Sequence, residues 1–151
     1  MFRGANKLNL DAKGRLAMPM RYRERLRECC ASRLIITIDQ DRCLLLYPLP
    51  DWQEIERKLM KLPSLNKAAR NLQRLLVGHA ADVDMDGQGR LLLPSTLREF
   101  ASLEKQVMLV GQGNKFELWN EDRWNEQRDA GLENMDFDQL DLPADLESLS
   151  L

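Results

Sequence analysis

The stretch "DAKGRLAMP" at Asp11–Pro19 recurs as "DGQGRLLLP" at Asp86–Pro94, with Asp, Gly, Arg, Leu and Pro in the same places. An Asp-x-x-Gly segment predicts a turn, because the Asp side chain accepts backbone hydrogen bonds and Gly tolerates a positive φ. Short apolar strands precede and follow each turn. The proline then ends the second strand and favours the start of a helix. The sequence therefore predicts two strand–turn–strand–helix units in one chain.

The similarity extends beyond these nine residues. "LLLYPLPDW" at Leu44–Trp52 aligns with "FELWNEDRW" at Phe116–Trp124, and apolar runs before each block predict two further strands per copy. The two copies occupy residues 5–55 and 80–127. Residues 56–79 have apolar positions at helical spacing broken by a proline, which predicts a helical connector. Residues 128–151 form an acidic C-terminal tail.

These copies predict the fold class. A copy of about fifty residues with four short strands buries too little apolar surface to be stable alone. We therefore expect an α+β fold with a mainly β core, in which the two units interlock as an intramolecular pseudo-dimer. The expected form is a β-barrel with flanking helices. Trp52, Trp119 and Trp124 are expected to anchor its core.

The distribution of charge is asymmetric, although the formal net charge is only −2. Residues 1–78 contain sixteen Lys or Arg and eight Asp or Glu, and therefore carry +8, whereas the remainder carries −10. A basic half joined to an acidic half is expected when one face of a protein meets a polyanion. The alternative is that the acidic tail only keeps the chain soluble.

Several functional classes are disfavoured by the sequence. Cys29, Cys30 and Cys43 are odd in number and lack a C-x-x-C spacing, which argues against a disulfide framework and against zinc. His79 is the single histidine, and hydrolase signatures such as G-x-S-x-G are missing, so we expect a packing or interface role for it. We predict no enzyme activity, no catalytic residues, no metal and no cofactor. No apolar run or leader suggests a membrane segment or secretion, so a cytoplasmic protein is expected.

The repeated element resembles the AbrB-type swapped-hairpin domain of bacterial DNA-binding proteins. Two such units in one chain beginning "MFRGA" are similar to the MraZ family. The segments "QRLLVGHA" at Gln73–Ala80 and "VMLVGQGNKFELW" at Val107–Trp119 also resemble that family. The resemblance implies a nucleoid-associated transcriptional regulator that binds short G-rich direct repeats upstream of a cell-division and cell-wall gene cluster. It further implies a homo-oligomeric ring acting on double-stranded DNA.

The residues themselves fit DNA recognition at the first hairpin. The arginine fork matches O6 and N7 of guanine, and neighbouring cations can neutralise phosphates. The predicted DNA-binding residues are Arg15, Lys13, Gly14, Arg3, Lys7, Arg21 and Arg23. The alternative for this hairpin is structural, with Asp11 and Arg15 forming an ion pair that stabilises the turn. We favour that interpretation for the aspartates and glycines, and DNA contact for Lys13 and Arg15.

The second hairpin is expected to differ from the first. Gln88 replaces Lys13, and Asp82, Asp84 and Asp86 would repel phosphate. We therefore interpret Arg90 and Gln88 as a secondary DNA contact or an oligomer contact. Two other functions remain open, namely a ring-forming scaffold that binds a protein partner without DNA, and an antitoxin-like regulator of the AbrB type.

Overall fold

The structure is a computed structural model that describes residues 1–135, and these residues contain eight strands and five helices. The strands are β1 (Phe2–Asn9), β2 (Arg15–Ala17), β3 (Arg33–Ile38), β4 (Leu44–Pro48), β5 (Ala81–Asp84), β6 (Arg90–Leu92), β7 (Gln106–Gly113) and β8 (Phe116–Asn120). The helices are α1 (Met20–Cys30), α2 (Leu49–Met60), α3 (Lys67–Leu76), α4 (Ser95–Phe100) and α5 (Glu121–Glu133).

The two copies exchange their first strands. Six strands form one antiparallel sheet in the order β1-β7-β8-β4-β3-β5. The first strand of copy one (β1) therefore pairs with the third strand of copy two (β7), and β5 pairs with β3 in the equivalent way. The order is symmetric about the β8–β4 pair. The repeated sequence thus produces a pseudo-two-fold arrangement within the chain.

The strands that follow the two turns pair with each other rather than with the large sheet. β2 and β6 form a two-stranded antiparallel ribbon in which Leu16 lies directly opposite Leu91. Beyond the ribbon, Met18 N–H donates to the carbonyl of Gly89 at 2.8 Å, and Leu93 N–H donates to that of Gly14 at 3.1 Å. These two bonds are equivalent by the pseudo-symmetry, so each turn is bonded to the other copy.

The prediction of a closed barrel is not confirmed. Within residues 1–135 the edge strands β1 and β5 do not pair with each other, so the six-stranded sheet stays open. The physical reason lies in the two hairpins. The chain turns at Asp11 after β1 and at Asp86 after β5. The strands that follow, β2 and β6, hydrogen-bond to each other in the separate ribbon and do not close the large sheet. The mixed fold with a mainly antiparallel β core is confirmed.

The core is shared by both copies. Leu16 and Leu91 are fully buried and belong to the same apolar cluster as side chains from β3, β4, β7 and β8. β3 and β4 are buried almost throughout, as their continuous apolar sequences indicate. Phe116 lies against Phe2 and Tyr22, with ring centroids 4.3 and 5.0 Å away. Aromatic residues distant in the sequence therefore fix the first strand of copy one against copy two.

Local predictions agree with the structure to different degrees. Pro19 and Pro94 precede α1 and α4 directly, although they lie at the N-cap rather than at the first helical position. Trp52 and Trp119 are buried as expected, whereas Trp124 is half-buried. The compact unit that contains both sheets comprises residues 1–121; the second unit begins at residue 122, and its described part is mostly helix. Most of the predicted acidic tail lies outside the described residues.

Candidate nucleic-acid interface

The first hairpin turn is organised by one carboxylate. Asp11 Oδ1 accepts hydrogen bonds from the backbone N–H groups of Lys13 and Arg15, both at 2.9 Å. The other oxygen, Oδ2, accepts from Arg15 Nε at 2.6 Å. Gly14 adopts a φ of +79°, which the turn requires and which residues other than glycine rarely adopt. The Asp-x-x-Gly-Arg sequence therefore specifies the turn and the orientation of its arginine together.

The second hairpin repeats this geometry. Asp86 Oδ1 accepts from the backbone N–H groups of Gln88 and Arg90 at 2.9 Å each, and Arg90 Nε lies 3.0 Å from Asp86 Oδ2. Gly89 has a φ of +76°. The turn chemistry proposed for both aspartates and both glycines matches these bonds. The hairpins differ in side-chain charge at the position of Lys13 and Gln88, both of which are exposed.

Arg15 combines a fixed position with access to solvent. Its side chain is 29% exposed, and among residues 1–135 it makes its ion pair with Asp11 through Nε. A guanidinium presents donors on more than one edge, so bonding through Nε leaves the Nη groups able to meet a ligand. The ion pair and a DNA contact are therefore compatible. The Asp11 carboxylate fixes the position of Arg15 and leaves its Nη groups able to bind a ligand.

The carboxyl group of Asp11 is unusually acidic. Its pKa is lowered to about 2, first by the backbone N–H of Arg15 and then by the Arg15 side chain and the backbone N–H of Lys13. The pKa of Asp86 is lowered for the same reasons, with the backbone N–H of Arg90 first. Both carboxyl groups are therefore ionised at neutral pH and bonded in their turns.

This acidity predicts a pH dependence. The pKa of Asp11 is lower in the folded chain than in the unfolded one, so the turn is stabilised above the ordinary Asp pKa and loses that stabilisation as pH falls through about 2. We expect the carboxyl ¹³C chemical shift of Asp11 to change mainly below pH ~3. A midpoint near the ordinary value of about 4 would contradict the bonded turn. The Asp11→Asn variant should show no such transition.

Two of the other predicted cations of copy one, Lys7 and Arg21, contact partner side chains within the described residues. Lys7, on the edge strand β1, lies 3.2 Å from Glu121. Arg21 donates through Nη2 to Asn6 Oδ1 at 2.5 Å and to the hydroxyl of Tyr22 at 2.9 Å. Arg3 is exposed on β1, and its backbone carbonyl accepts a hydrogen bond from the same hydroxyl. These residues line β1 and the start of α1, apart from the turn that carries Arg15.

Arg23 and Arg98 occupy equivalent positions that sequence reasoning treated unequally. Arg23 Nε donates to the carbonyl of Met18 at 2.7 Å, and Arg98 Nε donates to that of Leu93 at 3.2 Å. Each guanidinium lies against the turn glycine of the other copy. Arg98 was not among the predicted residues. The signal that could have found it is the repeat itself, since each arginine follows its proline by four positions.

His79 is exposed, and its Nδ1 lies 2.8 Å from the carbonyl oxygen of Leu75. The exposure argues against the packing role expected for it, and the interface role stays a prediction. No helix within residues 1–135 has the length and apolar character needed to cross a membrane.

The acids of the second hairpin, Asp82 and Asp84, are exposed on β5. The second hairpin therefore presents Arg90 in a more acidic setting than the first hairpin gives Arg15.

Together, these features define a duplicated-hairpin protein in which two acid-paired arginines stand at the turns of a strand-exchanged repeat. A sequence model of the family described as "MraZ protein, putative antitoxin-like" matches residues 1–75 and again residues 76–142. The chain belongs to the MraZ family.

Relatives of similar length carry one name. A protein of Thioalkalivibrio sulfidiphilus named "Transcriptional regulator MraZ" is 58% identical over 151 residues, covering 100% of both chains. One of Halorhodospira halophila with the same name is 56% identical over 152 residues, again covering 100% of each. The Pseudomonas aeruginosa relative is 60% identical over 133 residues, covering 87% of this chain and 88% of its own.

Proposed function

We propose that this chain is a transcriptional regulator that binds double-stranded DNA by sequence, with the first hairpin as its reading element. The proposed target is a set of short G-rich direct repeats upstream of a cell-division and cell-wall gene cluster, including its own promoter. The names of its full-length relatives support regulation of transcription. We propose a cytoplasmic, nucleoid-associated regulator that is not an enzyme.

The observation that carries the proposal is the geometry at Asp11–Arg15. Arg15, partly exposed, is held by the Asp11 carboxylate through both its backbone N–H and its Nε, next to the exposed Lys13. An arginine whose position is fixed before binding loses less conformational entropy when it meets a guanine edge. Lys13, Arg3, Lys7, Arg21 and Arg23 supply positive charge that can meet phosphates.

The strand exchange supports the finer parts of the fold proposal. β1 and β5 each add to the third strand of the other copy, which supports our proposal that residues 5–55 and 80–127 form interlocked swapped hairpins joined by a helical connector over residues 56–79. We further propose that several chains assemble into a ring. A ring that presents several hairpins to tandem repeats gains affinity through effective concentration even when each contact is weak.

The second hairpin should contribute less than the first. Arg90 is 31% exposed and paired as Arg15 is, but Gln88 lacks a charge and the nearby acids disfavour phosphate. We expect Arg90→Ala to lower the affinity for the repeat DNA by a smaller factor than Arg15→Ala, as measured by fluorescence anisotropy. An equal or larger loss would show that the two hairpins read DNA alike.

Salt should weaken the complex steeply. Each phosphate contact releases counterions, so the logarithm of the association constant should fall by about 0.9 per unit of log salt for every contact made. Lys13→Gln, which copies Gln88 of the second hairpin, should reduce the magnitude of this slope by about 0.9, the value expected for one phosphate contact. A binding constant independent of salt would contradict contact with the DNA backbone.

A gel-shift assay against G-rich direct repeats, combined with native mass spectrometry of the free protein, tests the whole proposal. A specific shift by an oligomer supports it. An oligomer that shifts no DNA would instead indicate the scaffold function. Capture of a co-encoded toxin would indicate the antitoxin-like function that the family description suggests.

A further inference from the structure

We infer that Arg98, from the second copy, is a positioning residue for the DNA-reading hairpin of the first copy. The inference rests on the proposed function and goes beyond it, because it assigns a role in recognition to a residue outside the reading hairpin. Arg98 lies on α4, more than eighty positions along the chain from Gly14.

Arg98 covers the tip of the first hairpin. A Cβ atom added at Gly14 would lie 2.5 Å from Arg98 Cζ and 2.7 Å from its Nε, so the guanidinium rests directly on the turn glycine. Gly14 is buried although the residues before it in the turn are exposed. The absence of a side chain at this position is therefore needed twice, once for the positive φ and once for the approach of Arg98.

Two hydrogen bonds connect this contact to the ribbon. Arg98 Nε donates to the carbonyl of Leu93 at 3.2 Å, and Leu93 N–H donates to the carbonyl of Gly14 at 3.1 Å. Leu93 and Arg98, which lie in one short stretch of copy two, thus both contact Gly14 of the first hairpin. Gly14 precedes Arg15 directly, so any movement of the glycine moves the arginine that meets DNA.

The equivalent contacts at the other hairpin provide an internal comparison. Arg23 lies against Gly89, its Nε donates to the carbonyl of Met18 at 2.7 Å, and Met18 N–H donates to the carbonyl of Gly89 at 2.8 Å. Arg23 therefore supports the second hairpin in the same way, and the charges around that hairpin predict weaker DNA binding. A purely structural role predicts similar consequences for the two arginines, whereas a role in recognition predicts that Arg98 matters more.

The experiment compares Arg98→Lys with Arg23→Lys and Arg57→Lys. Lysine keeps the charge and the aliphatic stem but lacks the planar fork, so long-range attraction to DNA is preserved. Arg57 pairs with Glu54 on the surface of α2 and serves as the control. The probe is a duplex that the wild-type chain selects from a randomised pool, together with a scrambled duplex of the same length. The quantity measured is the ratio of the two affinities.

We expect Arg98→Lys to lower this ratio about tenfold, because a hydrogen bond and its packing are lost at the reading turn. Arg23→Lys should lower the ratio less, and Arg57→Lys should leave it unchanged. The dependence of binding on salt should stay the same in Arg98→Ala, since a positioning residue neutralises no phosphate.

Three results would overturn the inference. The first is an unchanged ratio for a folded Arg98→Lys protein. The second is a salt slope in Arg98→Ala that falls by about one phosphate contact, which would make Arg98 a direct contact. The third is loss of the native circular dichroism spectrum in Arg98→Lys, which would assign the residue to folding alone. If the wild-type chain selects no duplex at all, the proposed function itself fails.

Discussion

Replacing Arg15 with alanine should abolish sequence-specific DNA binding while leaving the protein folded. An arginine that donates to O6 and N7 of guanine contributes about 1–3 kcal/mol of discrimination per base, and in the proposed ring this loss would be repeated at every repeat it engages. The fold should persist because Asp11 keeps the backbone bonds from residues 13 and 15, which do not depend on the side chain. Fluorescence anisotropy on repeat and scrambled duplexes, with circular dichroism, measures both outcomes.

The control for this variant is Arg15→Lys, which keeps the charge but cannot form a planar fork. It should retain most of the affinity for scrambled DNA and lose the preference for the repeat. A folded Arg15→Ala protein with an unchanged preference would refute the assignment of the reading element. Loss of folding in Arg15→Ala would instead show that the ion pair with Asp11 is needed for the hairpin itself.

The second large effect is expected at the centre of the ribbon. Leu16 is fully buried directly opposite Leu91, where the two copies meet. Leu16→Ala should lower the free energy of unfolding by about 3 kcal/mol, the usual cost of a cavity in a well-packed core. At fixed protein concentration, thermal unfolding should then occur roughly 10 °C lower.

The matched control is Leu92→Ala, because Leu92 lies in the same ribbon with 60% of its surface exposed. It should change the free energy of unfolding by less than about 0.5 kcal/mol. By the pseudo-symmetry, Leu91→Ala should cost about as much as Leu16→Ala, and the double variant less than the sum since one cavity is shared. Equal effects of Leu92→Ala and Leu16→Ala would contradict the ribbon as the joint core.

The sequence was sufficient for features that depend on neighbouring residues. Asp11 and Gly14 determine their turn through bonds spanning four positions, so the motif predicted it directly. Pro19 marked the start of α1 because proline cannot continue the preceding strand ladder. The repeat also indicated a pseudo-dimer, since neither copy can bury a sufficient core alone.

Features that depend on distant partners were not predictable in detail. β1 pairs with β7 across about a hundred positions, and no local signal in the sequence predicts that pairing. Nor does one show that the edge strands β1 and β5 leave the sheet open. The same holds for the side chains of the site. Lys7 meets Glu121, and Arg98 meets Gly14, only because the strand exchange brings the two copies together. The sequence therefore predicted the turn of the first hairpin, but not the residues of the other copy that contact it.

The most direct test of the central claim is a thermodynamic cycle between Arg15 and guanine N7. Wild-type and Arg15→Ala proteins are titrated with the selected duplex. They are also titrated with a series of duplexes, in each of which one guanine of the repeat is replaced by 7-deazaguanine, which lacks the N7 acceptor. We predict that one substitution weakens wild-type binding by about 1 kcal/mol or more and has no further effect in Arg15→Ala. Additive losses at every guanine would contradict a contact between Arg15 and the base.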